Sequence, residues 1–303
     1  MNSSSHPTAT PQTITRATRL ALLITLVLST AACGMYGYGP SEDRSRFVSA
    51  RVTDDGAAVL ITAKRLVYRP AAGWRAFPDG GIPRYITDEN MVGVFHIDTR
   101  KTSVLHREKN TFWQDGQGEY GIYAMKGAKA VINQGGQKRS DYLPDARRFM
   151  LDIDNGDMEE LSVKEDLAGR GRELGYFYML GGDGTLLFVT PATGKPVNPN
   201  DFTGNELWLR LPDVRYAKVA SEADYMGFEA GEVIYWTLGD RTIWAYDVSG
   251  GGRRRLEKYI PVSDPGKLLD SRISSDGRSV GLWVKDGDGW RFRERLLTLE
   301  DLP

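Results

Sequence analysis

Two stretches near opposite ends of the chain share one pattern, and this pattern decides the fold. They are Ser49-Ala-Arg-Val-Thr-Asp-Asp-Gly-Ala-Ala-Val-Leu-Ile-Thr-Ala-Lys64 and Asp270-Ser-Arg-Ile-Ser-Ser-Asp-Gly-Arg-Ser-Val-Gly-Leu-Trp-Val-Lys285. They align without a gap, and the identical pairs are Arg51/Arg272, Asp55/Asp276, Gly56/Gly277, Val59/Val280 and Lys64/Lys285. An Asp side chain can accept a hydrogen bond from the backbone two residues on, and Gly tolerates a positive φ. The pattern therefore predicts a strand, an Asp-Gly turn and a second strand.

Weaker copies of this unit lie between the two ends. With the two end copies included, the five units occupy residues 47–107, 117–163, 173–220, 224–260 and 269–299. Each contains short stretches of alternating apolar and polar residues that are separated by polar turns. Four short antiparallel strands per unit predict an all-β fold, a β-propeller of about five blades. A sixth blade would have to lie in the insertions Arg69–Met91 and Lys164–Arg172, and a β-sandwich is the alternative fold.

The Ser-x-Asp-Gly-x-x-Val pattern resembles the WD-repeat-like blades of periplasmic propellers, such as the propeller domain of the Tol-Pal system. In this chain the pattern is Ser274, Asp276, Gly277 and Val280. The resemblance implies a propeller fold and a periplasmic location. Because one fold hosts many functions, it does not imply an activity.

The fifth unit offers only three strands, Asp270–Ser274, Val280–Lys285 and Trp290–Leu299. Proteins normally protect an unpaired sheet edge. We therefore expect the segment Tyr38–Phe47 to pair with Trp290–Leu299 and to latch the ring.

Residues 1–32 have the features of a secretory signal peptide. Residues 1–19 contain no acidic residue and include Arg16 and Arg19, and the apolar run Leu20–Leu28 precedes small residues. This run is too short to cross a bilayer of about 30 Å. The alternative, a buried core helix, is disfavoured by the abrupt change in composition after Cys33.

Thr30-Ala31-Ala32-Cys33 resembles the lipobox of bacterial lipoproteins, although Thr30 stands where that family usually has Leu. The resemblance implies that Cys33 carries lipid and becomes the first mature residue. Residues 33–46 would then be a tether, or the latch strand, and residues 47–303 the propeller domain. Gly34 lacks the Asp that marks inner-membrane retention in some bacteria, so we expect a periplasm-facing anchor in the outer membrane.

Composition excludes several classes of function. Lys and Arg total 39 against 40 Asp and Glu, which argues against nucleic acid as the partner. A single Cys and three His leave little for a cysteine- or histidine-built metal site. No Gly-x-Ser-x-Gly elbow and no phosphate-binding loop occurs in the sequence, and His96 and His106 are expected to pack or to be solvated.

Acidic residues recur at the start of the innermost strands, at Glu119, Glu173, Asp224 and Asp270. If they converge on a central channel, they could hold calcium or serve as the two carboxylates of a glycosidase. The alternative, which we favour, is that these acids cap turns or pair with Arg51, Arg172 and Arg272.

A long insertion in the first unit carries aromatic and basic residues among Pro and Gly: Trp74, Arg75, Phe77, Arg84 and Tyr85. Such a composition is typical of an interface hot spot, and loops of this length are often functional. The alternative is that the aromatic rings fold back over the neighbouring blade.

These observations predict a non-enzymatic, lipid-anchored propeller that binds another protein or a polymer of the cell envelope. The rival interpretation is an envelope carbohydrate-active hydrolase with its carboxylates in the central channel. We expect no cofactor, calcium excepted, and a membrane contact through Cys33.

Overall fold

The computed structural model describes residues 38–71, 84–109, 118–135, 147–161, 177–191, 205–213, 215–260 and 268–303. The predicted signal peptide and Cys33 lie outside these ranges. Within them, no helix is both long enough and apolar enough for a membrane crossing. The chain divides into two compact units, residues 1–43 with 67–87 and residues 44–66 with 88–303.

The described chain forms five antiparallel sheets. The first contains β1 (Glu42–Asp43), β2 (Arg46–Val52), β3 (Ala58–Arg69), β4 (Arg84–His96) and β5 (Lys101–Lys109). The second contains β6 (Tyr120–Lys126), β7 (Lys129–Gln134), β8 (Arg147–Asp152) and β9 (Met158–Glu160), and the third contains β10 (Phe177–Met179), β11 (Leu186–Pro191), β12 (Asn205–Arg210) and β13 (Tyr216–Ser221). The fourth contains β14 (Ala223–Glu229), β15 (Glu232–Thr237), β16 (Ile243–Asp247) and β17 (Arg253–Leu256), and the fifth contains β18 (Leu269–Ile273), β19 (Ser279–Asp286) and β20 (Gly289–Thr298).

In the second to fifth sheets the strands pair in chain order, whereas in the first sheet both β1 and β2 pair with β3. The second, third and fourth sheets have four strands each. The fifth sheet has three, and a short 3₁₀ helix, Leu299–Asp301, follows it. The prediction of four-stranded antiparallel units is confirmed for the second, third and fourth units, and the three-stranded last unit is confirmed as well; the first sheet has five strands, because β1 adds to it. Five separate sheets, rather than two facing ones, do not fit the alternative β-sandwich.

The predicted Asp-Gly turns are present at both ends of the chain. Gly56 and Gly277 have φ values of 72° and 73°. Asp55 accepts a hydrogen bond from the N–H of Ala57, two residues on, at 3.0 Å. The hydroxyl of Thr53 and this N–H together hold the pKa of Asp55 below its ordinary value. The sequence pattern thus corresponds to a turn that is stabilised by its own side chains.

The strands β3, β7 and β11, in the first three sheets, are buried on both faces, because each face packs against a different neighbour. In β3, Val59 and Ile61 face the fifth sheet while Leu60 faces the second. The core between the fifth and first sheets includes Phe47, Val59, Ile61, Met91, Phe95, Val280, Leu282 and Leu297. Further cores join the first sheet to the second, the second to the third and the third to the fourth. The sheets therefore pack in the order five, one, two, three, four.

The predicted latch is wrong. Glu42 and Asp43 pair with Tyr68 and Val67, and the following residues of β2 also pair with β3. The reason is the length of β3, whose twelve residues offer a continuous edge to β1 and β2 in turn. The first and last sheets meet elsewhere, where the N–H of Phe47 donates to the carbonyl of Gly277 at 2.8 Å.

This close approach makes a prediction about Gly277. A Cβ at Gly277 would lie 3.0 Å from Cβ of Arg46, whereas a Cβ at Gly287, which also has a positive φ, would meet open space. Each Gly→Ala substitution should cost about 1 kcal/mol in backbone strain. Gly277→Ala should lower the melting temperature further than Gly287→Ala, by roughly 2–4 °C for each additional 1 kcal/mol. Equal melting temperatures for the two variants, measured by circular dichroism, would contradict the close packing of sheets five and one.

Candidate functional site

Two of the predicted channel acids are engaged in ion pairs with arginine. Glu119, immediately before β6, accepts two hydrogen bonds from the Arg46 guanidinium, at 2.8 and 3.0 Å. Asp270, in β18, accepts one from Nε of Arg272 at 3.0 Å. For these two acids the structure supports the favoured interpretation, arginine pairing, and for Asp270 the partner is the predicted one.

The other predicted acids are not joined to this pair by any described contact. Asp224 lies in β14 opposite Trp236, and Glu173 falls outside the described residues. Within the described ranges, no group of three or more His, Cys, Asp or Glu residues is placed to hold a metal ion. A calcium site and a two-carboxylate centre therefore stay predictions.

The predicted first-sheet binding loop is described only in part. Trp74, Arg75 and Phe77 lie outside the described residues, while Arg84 and Tyr85 begin β4. The Tyr85 side chain is 41% exposed, and its ring centroid lies 6.2 Å from that of Tyr68. The role of these residues in binding stays a prediction.

A surface that sequence analysis missed lies on the fifth sheet. The guanidinium of Arg272 lies over two indole rings, 4.6 Å from the centroid of Trp283 and 5.5 Å from that of Trp290. The Phe292 ring contacts Trp283 edge-on, with centroids 5.6 Å apart. Asp270 completes this group through its ion pair with Arg272. We call these five residues the aromatic–arginine face.

The strand register explains why these side chains meet. Asp270 and Phe292 both pair with Trp283, from opposite sides, so all three side chains project from one face of the sheet. Gly281 leaves room for the Phe292 ring, because a Cβ there would lie 2.8 Å from its Cε2 atom. The sequence signal was the set of three aromatic residues in β19 and β20, but their common face depends on the register.

The aromatic–arginine face is open to solvent. Trp290 is 37% exposed and Phe292 is 51% exposed. The core shared with the first sheet is formed by the opposite face of the fifth sheet, through Val280 and Leu282. Exposed aromatic rings beside an arginine are the side-chain types that most often contribute binding free energy at protein interfaces.

Arg51 extends this charged region to β2 of the first sheet. Burial lowers the pKa of the Arg51 guanidinium, and the attraction of Asp270 and then of Tyr123 opposes this decrease. Asp270 therefore attracts two arginines, Arg51 in β2 and Arg272 in its own strand, β18. Such an arrangement favours a neutral or anionic group from a ligand over a cation.

A second polar group links the first two sheets. The Tyr120 hydroxyl donates to Glu108 at 2.6 Å and lies 3.4 Å from Nε2 of His106, while Gln134 also donates to Glu108. Tyr120 is only 2% exposed, and burial, followed by the hydrogen bond to Glu108, raises its pKa. A tyrosine held neutral in this way is a hydrogen-bond donor rather than a nucleophile. The group thus has the properties of a structural contact.

Comparisons with known proteins find matches among solved structures, and these matches are of low identity. No family model matches the chain, and no curated protein matches it. Among solved structures, acylaminoacyl peptidase from Pyrococcus horikoshii is 11% identical with a TM-score of 0.33, over 82% of this chain and 46% of the peptidase. A structure from a study of two prolyl endopeptidases is 14% identical with a TM-score of 0.31, over 79% and 38%. Sqt1 from Saccharomyces cerevisiae is 9% identical with a TM-score of 0.24, over 83% and 84%.

The chain spans less than half the length of the two peptidases that it matches. At these TM-scores the similarity is no basis for assigning an activity. The candidate site is therefore defined by the chain's own residues.

Proposed function

We propose that the chain is a lipid-anchored β-propeller of the cell envelope that binds another envelope component without catalysing a reaction. The observation that carries the binding role is the aromatic–arginine face of the fifth sheet. Its exposed rings are available to a ligand. Glu119 and Asp270, which the rival hydrolase would use as free carboxylates, are each paired with an arginine.

The propeller arrangement is supported by contacts between strands of consecutive sheets, β2 with β6 and β10 with β14. Ser49 in β2 accepts a hydrogen bond from the N–H of Ile122 in β6 at 2.8 Å. The Tyr178 and Tyr225 rings, in β10 and β14, lie with centroids 4.5 Å apart. With the fifth sheet packed on the first, these contacts suit blades that are arranged around a common axis.

The envelope location rests on the sequence of residues 1–33. The apolar run and the small residues before Cys33 favour export and lipidation, and acyl chains would anchor the protein at about 0.8 kcal/mol per buried methylene. The partner is then a protein or polymer that faces the periplasm. Gly34, which stands in place of the Asp that marks inner-membrane retention in some bacteria, favours anchoring in the outer membrane.

The anchor is tested by Cys33→Ser. This substitution should abolish incorporation of labelled palmitate and leave the mature domain soluble or the chain unprocessed. Thr30→Leu, which restores the usual lipobox residue, is the matched control and should keep or increase labelling. Membrane fractionation together with continued labelling of the Cys33→Ser chain would overturn the lipoprotein proposal.

The binding face is tested by photo-crosslinking in the lipidated full-length chain. A photoreactive residue in place of Phe292 should form adducts with an envelope component. The same residue in place of Ile260, whose apolar side chain is 66% exposed, is the control and should not. Adding Trp290→Ala should weaken the interaction by at least about tenfold. Equal adduct yields at the two positions, or no effect of Trp290→Ala, would contradict the proposal.

A further inference from the structure

The fifth sheet is one strand short of the second, third and fourth sheets. In those three sheets a fourth strand pairs with the third, whereas β20 pairs only with β19 in the described part of the chain. The missing strand would lie along the outer edge of β20. The Lys285 N–H donates to the carbonyl of Leu268, so the backbone of Lys285 points away from β20. Trp290 lies directly opposite Lys285 and forms a non-hydrogen-bonded pair with it. The N–H and C=O of Trp290 therefore point away from β19, towards the outer edge.

The β20 edge is longer than the outer strands of the other sheets. β9 and β17 have three and four residues, and β5 and β13, with nine and six, carry lysines. β20 has ten residues with neither Pro nor Lys, and its first five residues are exposed. Its protective features are three arginines and two register shifts against β19. A long edge strand is a template for pairing with another extended segment, and its arginines select for an acidic one.

The side chains of β20 indicate the chemistry of that segment. Trp290 and Phe292 offer apolar surface on one face. Arg291, Arg293 and Arg295 give the edge a positive charge, and the single acid Glu294 is engaged mainly with Arg100, at 2.6 Å, and more distantly with Arg293, at 3.8 Å. Asp286, at 3.5 Å from Arg291, offsets only part of this charge. A complementary strand would therefore be acidic and would carry apolar residues.

We infer that β20 binds an extended segment of a partner protein in which acidic and apolar residues alternate, and that the segment adds to the fifth sheet as its fourth strand. This inference rests on the proposed function, since it names the class of ligand for the same face. Main-chain hydrogen bonds supply affinity in this mode, and alternate side chains supply specificity. An envelope glycan would stack on the rings but would not use the strand edge.

The test uses the mature full-length chain and three labelled octapeptides: alternating Glu and Val, alternating Lys and Val, and a block of four Glu followed by four Val. The Glu–Val peptide should bind about tenfold more tightly than either of the others. Its binding should also slow hydrogen exchange at the amides of Trp290 and Phe292. Arg293→Glu should weaken binding of the Glu–Val peptide, whereas Arg255→Glu, on the β17 edge of a four-stranded sheet, should not.

Equal binding of the three peptides, or binding without protection of the Trp290 and Phe292 amides, would overturn the inference. Binding of a soluble chito-oligosaccharide with these amides unprotected would overturn it in favour of a glycan. If the proposed function is right, the residue at position 292 would still crosslink to an envelope component in either case, and Trp290→Ala would still weaken that crosslink. Loss of the crosslink as well would overturn both.

Discussion

The apolar core between the first and last sheets brings both ends of the described chain together. Phe47 and Ile61 pack there with Val280 and Leu297, and each is at most 3% exposed. Full burial of such side chains stabilises a fold by about 1.5–3 kcal/mol each relative to exposure. Because β3 contributes one face to this core and the other to the second sheet, the first sheet is covered on both sides. Together with the cores that join the second, third and fourth sheets, this position gives the order of all five sheets.

The same core determines which surface stays open. The fifth sheet uses one face to cover the first sheet, through Val280 and Leu282, so its opposite face carries the exposed side chains. Arg272 keeps the indole rings of Trp283 and Trp290 together there, with a guanidinium that is itself held by Asp270. A charged residue stacked on aromatic rings preorganises a binding surface at little entropic cost. The proposed binding face is thus exposed because the last sheet packs on the first through its other face only, and the β20 edge is open because the sheet has three strands in the described part of the chain.

Local rules predicted most of the fold but only part of the site. The Asp-Gly turns depend on residues within four positions of each other, and the unit boundaries followed from alternating patterns, so both were predictable. The pairing of Asp270 with Arg272 also follows from spacing along one strand. By contrast, Phe292 reaches Trp283 only through a register that shifts twice along β19 and β20, and only because Gly281 lacks a side chain. The latch prediction was wrong because strand length, here that of β3, is poorly encoded by local pattern.

The central claim, that the last sheet closes on the first, is tested most directly by hydrogen exchange at the Phe47 amide. This N–H donates to Gly277 of the fifth sheet, while the Leu60 amide lies within the first sheet's own β3 strand. If the two sheets share a core, Phe47 should exchange only through unfolding on the scale of the whole domain, as slowly as Leu60. Exchange of Phe47 at the rate of an unstructured peptide, with Leu60 still protected, would contradict the account.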